Sequence, residues 1–315
     1  MKSGHDELHF KRAQPSILLF ALPLGLPSPI IVREDFRVSS NHIISLAALL
    51  AAFTLTPVVF AQKGGPPPGP GGPGRFGFRR PPGPPPGPAP RLPDDPFYGV
   101  NAGKPDLGGL AKGMWRVPYI IDMQKQGHSE DGGPVVVPFN DLGKKIFDER
   151  QATHSKDDPE GYCLPPGVPR MMYTPYPTEI FQMRDRILFI YEGGAHVWRI
   201  IWMDGRKQPD DPNPNFLGYS VGHWEGDTLV VDVVGFNTET WLDAAGHPHG
   251  EKLHVTERYT RPDSNTLRLA ATIDDPEYYT KPWTVVTTAT WAPNQELMEY
   301  ICQENNRDIQ HLVGK

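Results

Sequence analysis

The densest group of side chains able to do chemistry lies at 241–257, where Trp241, Asp243, His247, His249, Glu251, His254 and Glu257 follow closely in the chain. His247 and His249 form a His-x-His pair. In extended backbone, alternate residues share a side, so both imidazoles project the same way, a spacing that zinc, copper or iron can use. With His254 as a third ligand and water as a fourth, the set predicts a catalytic site for a divalent transition metal. His254 and Glu257 lie three apart on a predicted strand and point to opposite faces, so both cannot hold one ion. The alternative reading of His247 and His249 is an exposed, hydrogen-bonded loop.

A second group is dispersed in sequence. Glu257 shares a strand face with Leu253, Val255 and Tyr259, the more apolar face and therefore the inner one. Arg199 sits among apolar residues of another predicted strand. A buried carboxylate must be paired or protonated, so Glu257 and Arg199 are expected to form an ion pair, with Asp232 and Glu299 as further inward groups. Such a set either ties strands together or forms the polar floor of a ligand cavity, where Glu257, Arg199 and Asp232 do acid/base catalysis. Trp198, Trp202, Trp241, His223 and Asp243 are the expected lining of a small-molecule site, because indole rings stack flat or apolar ligands. Core filling explains the tryptophans as well. No nucleophile elbow, phosphate-cradling loop, Cys-x-x-Cys or dinucleotide fingerprint is present.

These groups must be carried by strands. Segments 179–183, 187–192, 196–203, 217–224, 228–235, 252–260, 266–273, 283–291 and 297–303 combine β-branched and aromatic residues, and 116–121 resembles them. Turn signals such as Glu225-Gly226-Asp227 separate several by only a few residues, which forces antiparallel hairpins. So many antiparallel strands must close or stack, and the expected fold is all-β with one short helix: a meander closed into a barrel, or alternatively a two-sheet sandwich. Asn140 or Asp141 caps the helix. The long excursion at 236–251 is expected to act as a lid.

The chain has 31 basic and 37 acidic residues and a net charge of −6. That balance excludes a generally basic surface and argues against nucleic-acid partners. Three regions are predicted. Residues 1–61 hold a signal peptide whose apolar run, 43–60, ends in a small-residue cleavage site at Ala61. The alternative is a retained membrane anchor. A Pro-interrupted stretch at 17–32 fits neither role and suggests a translation start nearer Val38. Residues 62–94 form a Pro/Gly-rich disordered tether, and 95–315 form the β-barrel domain. The mature chain is then periplasmic or secreted, with no transmembrane domain, and Cys163 and Cys302 are expected to form a disulfide.

Gly113-Met114-Trp115, leading into a meander of hairpins, resembles the Gly-x-Trp opening of lipocalin-like barrels of the calycin type. Three longer segments resemble a group of uncharacterised secreted bacterial proteins: Cys163-Leu-Pro-Pro-Gly-Val-Pro-Arg170, Gly222-His-Trp-Glu-Gly-Asp-Thr-Leu-Val-Val-Asp232 and Leu253-His-Val-Thr-Glu-Arg-Tyr259. The resemblance implies a lipocalin-like barrel and carries no activity. The leading functional expectation is an exported protein that binds an apolar or aromatic small molecule. The alternatives are a metal-assisted or acid/base hydrolase, lyase or isomerase built on the His/Glu cluster, and a cell-envelope interaction module.

Overall fold

Period-two alternation of apolar and polar residues organises the chain. β7 (His254–Thr260) buries Val255, Glu257 and Tyr259 and turns His254, Thr256 and Arg258 outward. β8 (Thr266–Asp274) buries Leu267, Leu269, Ala271 and Ile273 in the same phase. The computed structural model describes residues 85–304; the predicted signal region and most of the Pro/Gly tract lie outside the described residues. Among the described residues, no helix is long and apolar enough to cross a membrane.

The other strands are β1 (Gly113–Arg116), β2 (Thr178–Gln182), β3 (Arg186–Tyr191), β4 (Trp198–Trp202), β5 (Tyr219–Glu225), β6 (Thr228–Val234) and β9 (Trp283–Pro293). All nine join in chain order into one closed barrel, because β1 pairs with both β2 and β9. Closure leaves no raw edge and rules out the sandwich. Every junction is antiparallel except one. β4 and β5 run parallel and pair only at Ile201 with Ser220 and Trp202 with Val221. Residues 203–218 make the crossover, meeting the minimum of about a dozen residues that a parallel pair requires. The closed all-β barrel departs from the up-and-down form of about eight strands in its ninth strand and parallel seam.

Three further differences from the sequence reading have physical causes. The first strand ends at Arg116 instead of running through 116–121, because Pro118 cannot donate to a ladder. Segment 297–303 is not a strand: β9 already has β8 on one edge and β1 on the other, so no edge remains for it, and Glu299 is exposed. The 236–251 excursion is no open lid. Trp241, Leu242, Ala245, His247 and His249 are all buried, and the segment plugs the barrel end where β6 stops and β7 begins.

Helix α1 (Met123–Gln126) packs against that plug, through the Met123 N–H donated to Asp243. Helix α2 (Asp141–Ala152) starts where expected: Asn140 Oδ1 accepts the Gly143 N–H at 2.8 Å. Gly143 itself is required by crowding, since a Cβ there would lie 2.2 Å from the Tyr278 carbonyl oxygen. A third, single-turn helix, α3 (Gly193–His196), leads into β4. The folded body begins before residue 95, with Leu92 buried and Arg91 paired to Asp227 on the β5–β6 turn.

Cys163 and Cys302 form the expected disulfide across a sequence separation of 139 residues. Replacing both with alanine should lower the unfolding free energy by roughly 5 kcal/mol in the loop-entropy picture. Urea titration checks this, and an unchanged midpoint would show that the bridge constrains little.

Candidate functional site

Two buried polar clusters occupy the barrel, one at mid-height and one in the plug. At mid-height, β4 and β7 turn Arg199 and Glu257 inward, and Arg199 Nη2 lies 2.6 Å from Glu257 Oε2. Both side chains are fully enclosed. Tyr259 donates its hydroxyl to Glu257 Oε1 at 2.9 Å, and Arg199 Nε donates to Ser220 Oγ at 2.8 Å. Burial alone would lower the Arg199 pKa, but the Glu257 carboxylate outweighs it and the guanidinium stays charged. Burial also pushes the phenols of Tyr259, Tyr191 and Tyr173 well up, with Glu257 adding to each.

The cluster is not hydrogen-bonded to completion. Tyr173 Oη and Thr178 Oγ1 are buried with no hydrogen-bond partner, while the Tyr191 phenol lies beside Arg199, which acts on it both as a charge and as a hydrogen-bond donor. Arg199 and Ser220 also stand on the wall of a groove of about 500 Å³ at the β4–β5 seam. Its other lining is mostly apolar: Trp198, Ile200, Trp202, Leu217 and Tyr219. Trp198 is 61% exposed. Trp202 is held between the guanidinium groups of Arg186 and Arg206, with Arg206 at 3.7 Å from the ring centre. The remaining expected lining residues are elsewhere. His223 is exposed beside Glu225, and Trp241 is buried in the plug under the Arg150 guanidinium.

Asp232 does not join the inner cluster. Its neighbours Val231 and Val233 point inward, so Asp232 faces out, accepting hydrogen bonds from His254 Nε2 at 3.2 Å and Thr256 Oγ1 at 3.1 Å. His254 is thereby committed to the outer surface, away from His247 and His249.

In the plug, Asp243 anchors the loop. Its Oδ1 accepts the N–H groups of Gly246 and His247, and its Oδ2 accepts the Met123 N–H and His247 Nδ1–H, the last at 2.7 Å. Burial would raise the Asp243 pKa, but His247 and the backbone donors override it and hold the carboxylate below its usual range. His249 is satisfied differently: Nδ1–H donates to the Gly250 carbonyl and Nε2 accepts the Thr240 hydroxyl at 2.6 Å. Neither ring nitrogen keeps a lone pair for a metal, so the predicted His247, His249 and His254 ligand set is not assembled. Asp122, Asp243 and His247 do bring one ligand atom each within 4.8 Å of one another. Asp122, however, is already held by the Gln124 and Lys125 N–H groups and the Lys125 ammonium, and Asp243 by its four donors, which makes a structural knot.

Sequence reasoning found Arg199 and Glu257 from strand phase alone. Tyr259 is legible beside Glu257 on the inner face of the same strand, whereas Ser220 on β5 and Tyr191 on β3 are not singled out by the sequence, and Tyr173 lies outside the strands and gives no periodic signal. Neither a scan against protein-family models nor searches of curated proteins and of solved structures find a match to this chain.

Two outcomes follow from the clusters. Arg199→Met or Glu257→Leu alone should each cost about 3–5 kcal/mol of stability, while the double variant recovers much of the loss, because only the single changes strand a buried charge. Urea titrations of the three variants check the non-additivity. Burial lowers the His249 pKa from 6.5 to about 4, so the unfolded chain binds a proton that the folded chain refuses between those values. That contribution is complete above pH 6.5, is lost as pH falls toward 4, and amounts to roughly 3 kcal/mol. The fall in urea midpoint from pH 7 to 4 should be shallower in His249→Gln; an equal fall would remove His249 as its source.

Proposed function

We propose that this barrel is an exported binding protein for a small molecule with an apolar or aromatic body and a neutral, oxygen-bearing polar end. The observation that carries this reading is the groove at the β4–β5 seam, walled on the outer face of the barrel by Trp198, Ile200, Trp202, Leu217 and Tyr219. The groove's volume of about 500 Å³ falls in the range usual for small-molecule sites. Its tryptophans suit a flat apolar body. The Tyr219 hydroxyl, which accepts from Arg206 Nη1, and Asn215 on the groove's wall suit a carbonyl or hydroxyl oxygen. A carboxylate is a poorer fit, because the cations beside Trp202, Arg186 and Arg206, are already paired with Asp185 and Asp204. The disulfide supports an oxidising, extracytoplasmic setting, with residues 1–61 as the signal region and the Pro/Gly tract from 62 as a tether that ends before Arg91 and Leu92, which belong to the folded body.

N-phenyl-1-naphthylamine, a neutral fluorescent probe, should bind saturably to the wild type with a rise in emission. Trp198→Ala, at an exposed position where folding is not at stake, should weaken binding at least about tenfold, the scale of one lost aromatic contact in a partly desolvated site. Absence of saturable binding, or equal affinity in the variant, would overturn the proposal.

A further inference from the structure

The open half of the β4–β5 seam presents main chain as well as side chains. On the other edge of β4, the Tyr191 N–H donates to the Val197 carbonyl at 3.1 Å and the Met203 N–H to the Asp185 carbonyl at 2.8 Å. An antiparallel ladder engages alternate residues, so in this register Val197, Arg199, Ile201 and Met203 turn their main-chain groups toward β3. Trp198, Ile200 and Trp202 turn theirs toward the seam. There, β5 supplies partners only around its two registered pairs, Ile201 with Ser220 and Trp202 with Val221. The Trp198 N–H and C=O lie beyond the last pair, and no turn, loop or cap group among the described residues bonds to either.

The crossover that arrives at the seam cannot supply the missing partner. Gly218 takes a left-handed backbone, φ 65°, with no room for a Cβ, which would lie 2.7 Å from Val233. Before it, Asn215 donates its N–H to the Gly235 carbonyl and accepts the Asn237 N–H, both on the β6 side of the gap. An open strand edge is therefore left inside a groove, between the shoulders of Trp198, Ile200 and Trp202 and those of Leu217 and Tyr219. Such an edge is a template for one more strand.

That geometry narrows the ligand. A ketone or an ester satisfies the Trp198 N–H alone, whereas a peptide residue offers an acceptor and a donor together and satisfies both groups. Charge narrows it further. Arg186 and Arg206 are held by Asp185 and Asp204, and Arg199 by Glu257, so no unspent cation awaits a chain terminus.

We infer, on the footing of the groove site proposed above, that its ligand is a short, uncharged peptide segment that adds to the seam side of β4 in extended form. Its main chain exchanges two hydrogen bonds with Trp198. Alternate side chains, about 7 Å apart along the added strand, share the outer face with Trp198, Ile200 and Trp202.

Acetyl-Phe-Ala-Leu-amide and its three singly N-methylated forms test this on the full chain. Isothermal titration gives their affinities, displacement of N-phenyl-1-naphthylamine reports occupancy of the groove, and hydrogen exchange followed by NMR reports the Trp198 amide. The unmethylated peptide should bind, displace the probe and slow exchange at Trp198 at least about tenfold. At least one N-methylated form should bind about tenfold more weakly or worse, the scale of one lost main-chain hydrogen bond. No peptide binding by a chain that takes up the probe, binding without displacement, equal affinity for all four peptides, or unchanged exchange at Trp198 would each overturn the inference while leaving the small-molecule site intact. Peptide binding with Trp198 protected and one methylated form weakened, but without saturable uptake of the probe, would uphold strand addition and fault the function proposed above.

Discussion

A charge pair sealed inside the barrel constrains nearly everything around it. A guanidinium and a carboxylate taken out of water lose several kcal/mol of hydration each, and only close mutual contact with further hydrogen bonds offsets that loss. Arg199 and Glu257 meet those terms, with Tyr259 and Ser220 as the additional partners. The consequence reaches the strand registers. Sliding β7 by one residue against β6 and β8 would turn Glu257 to solvent and bring Arg258 inward, next to Arg199. No such alternative is affordable, so one electrostatic contact selects the pairing of strands that share no sequence proximity.

The same requirement is solved by other means in the plug. Asp243 is as deeply buried as Glu257 but has no cationic side chain of fixed charge beside it. It is surrounded by main-chain N–H groups from its own turn and from α1, with the His247 ring as fourth donor. The polar contacts that tie the loop to the barrel end therefore run through one carboxylate, and Phe139, Phe147 and Trp283 enclose the imidazole that completes it. A His-x-His pair that reads as a metal motif in an extended chain becomes, in this turn, two rings with separate hydrogen-bonding duties.

Legibility of the fold followed the strength of the alternation. β7 alternates cleanly and β8 does so except at the buried Ala270, and their inner faces, including Glu257, are readable from sequence. β6 does not: Leu229, Val230, Val231 and Val233 are all buried, so the strand carries no phase, and the inward reading of Asp232 had nothing to fix it. Asn140 announced α2 through a local capping bond, which needs no tertiary knowledge. The parallel seam and the loss of a strand at 297–303 depend on which edges are already taken, and no local pattern encodes that.

The seam also explains why a groove forms where it does. Apart from β1 and β2, which register only at Trp115 with Thr178, antiparallel neighbours in this barrel pair along most of their length, and their side chains cover the junction between them. β4 and β5 share only two registered pairs before the backbones part. Past that point the ladder cannot hold the wall together, and side chains must do so: Arg199 reaches across to Ser220 on the inside, while Trp198, Trp202 and Tyr219 stand around the gap outside. A concavity with a polar inner wall and aromatic shoulders is the geometric result of a parallel junction in an otherwise antiparallel barrel. The crossover at 203–218 that makes the junction parallel also supplies one flank of the groove, at Asn215, Phe216 and Leu217.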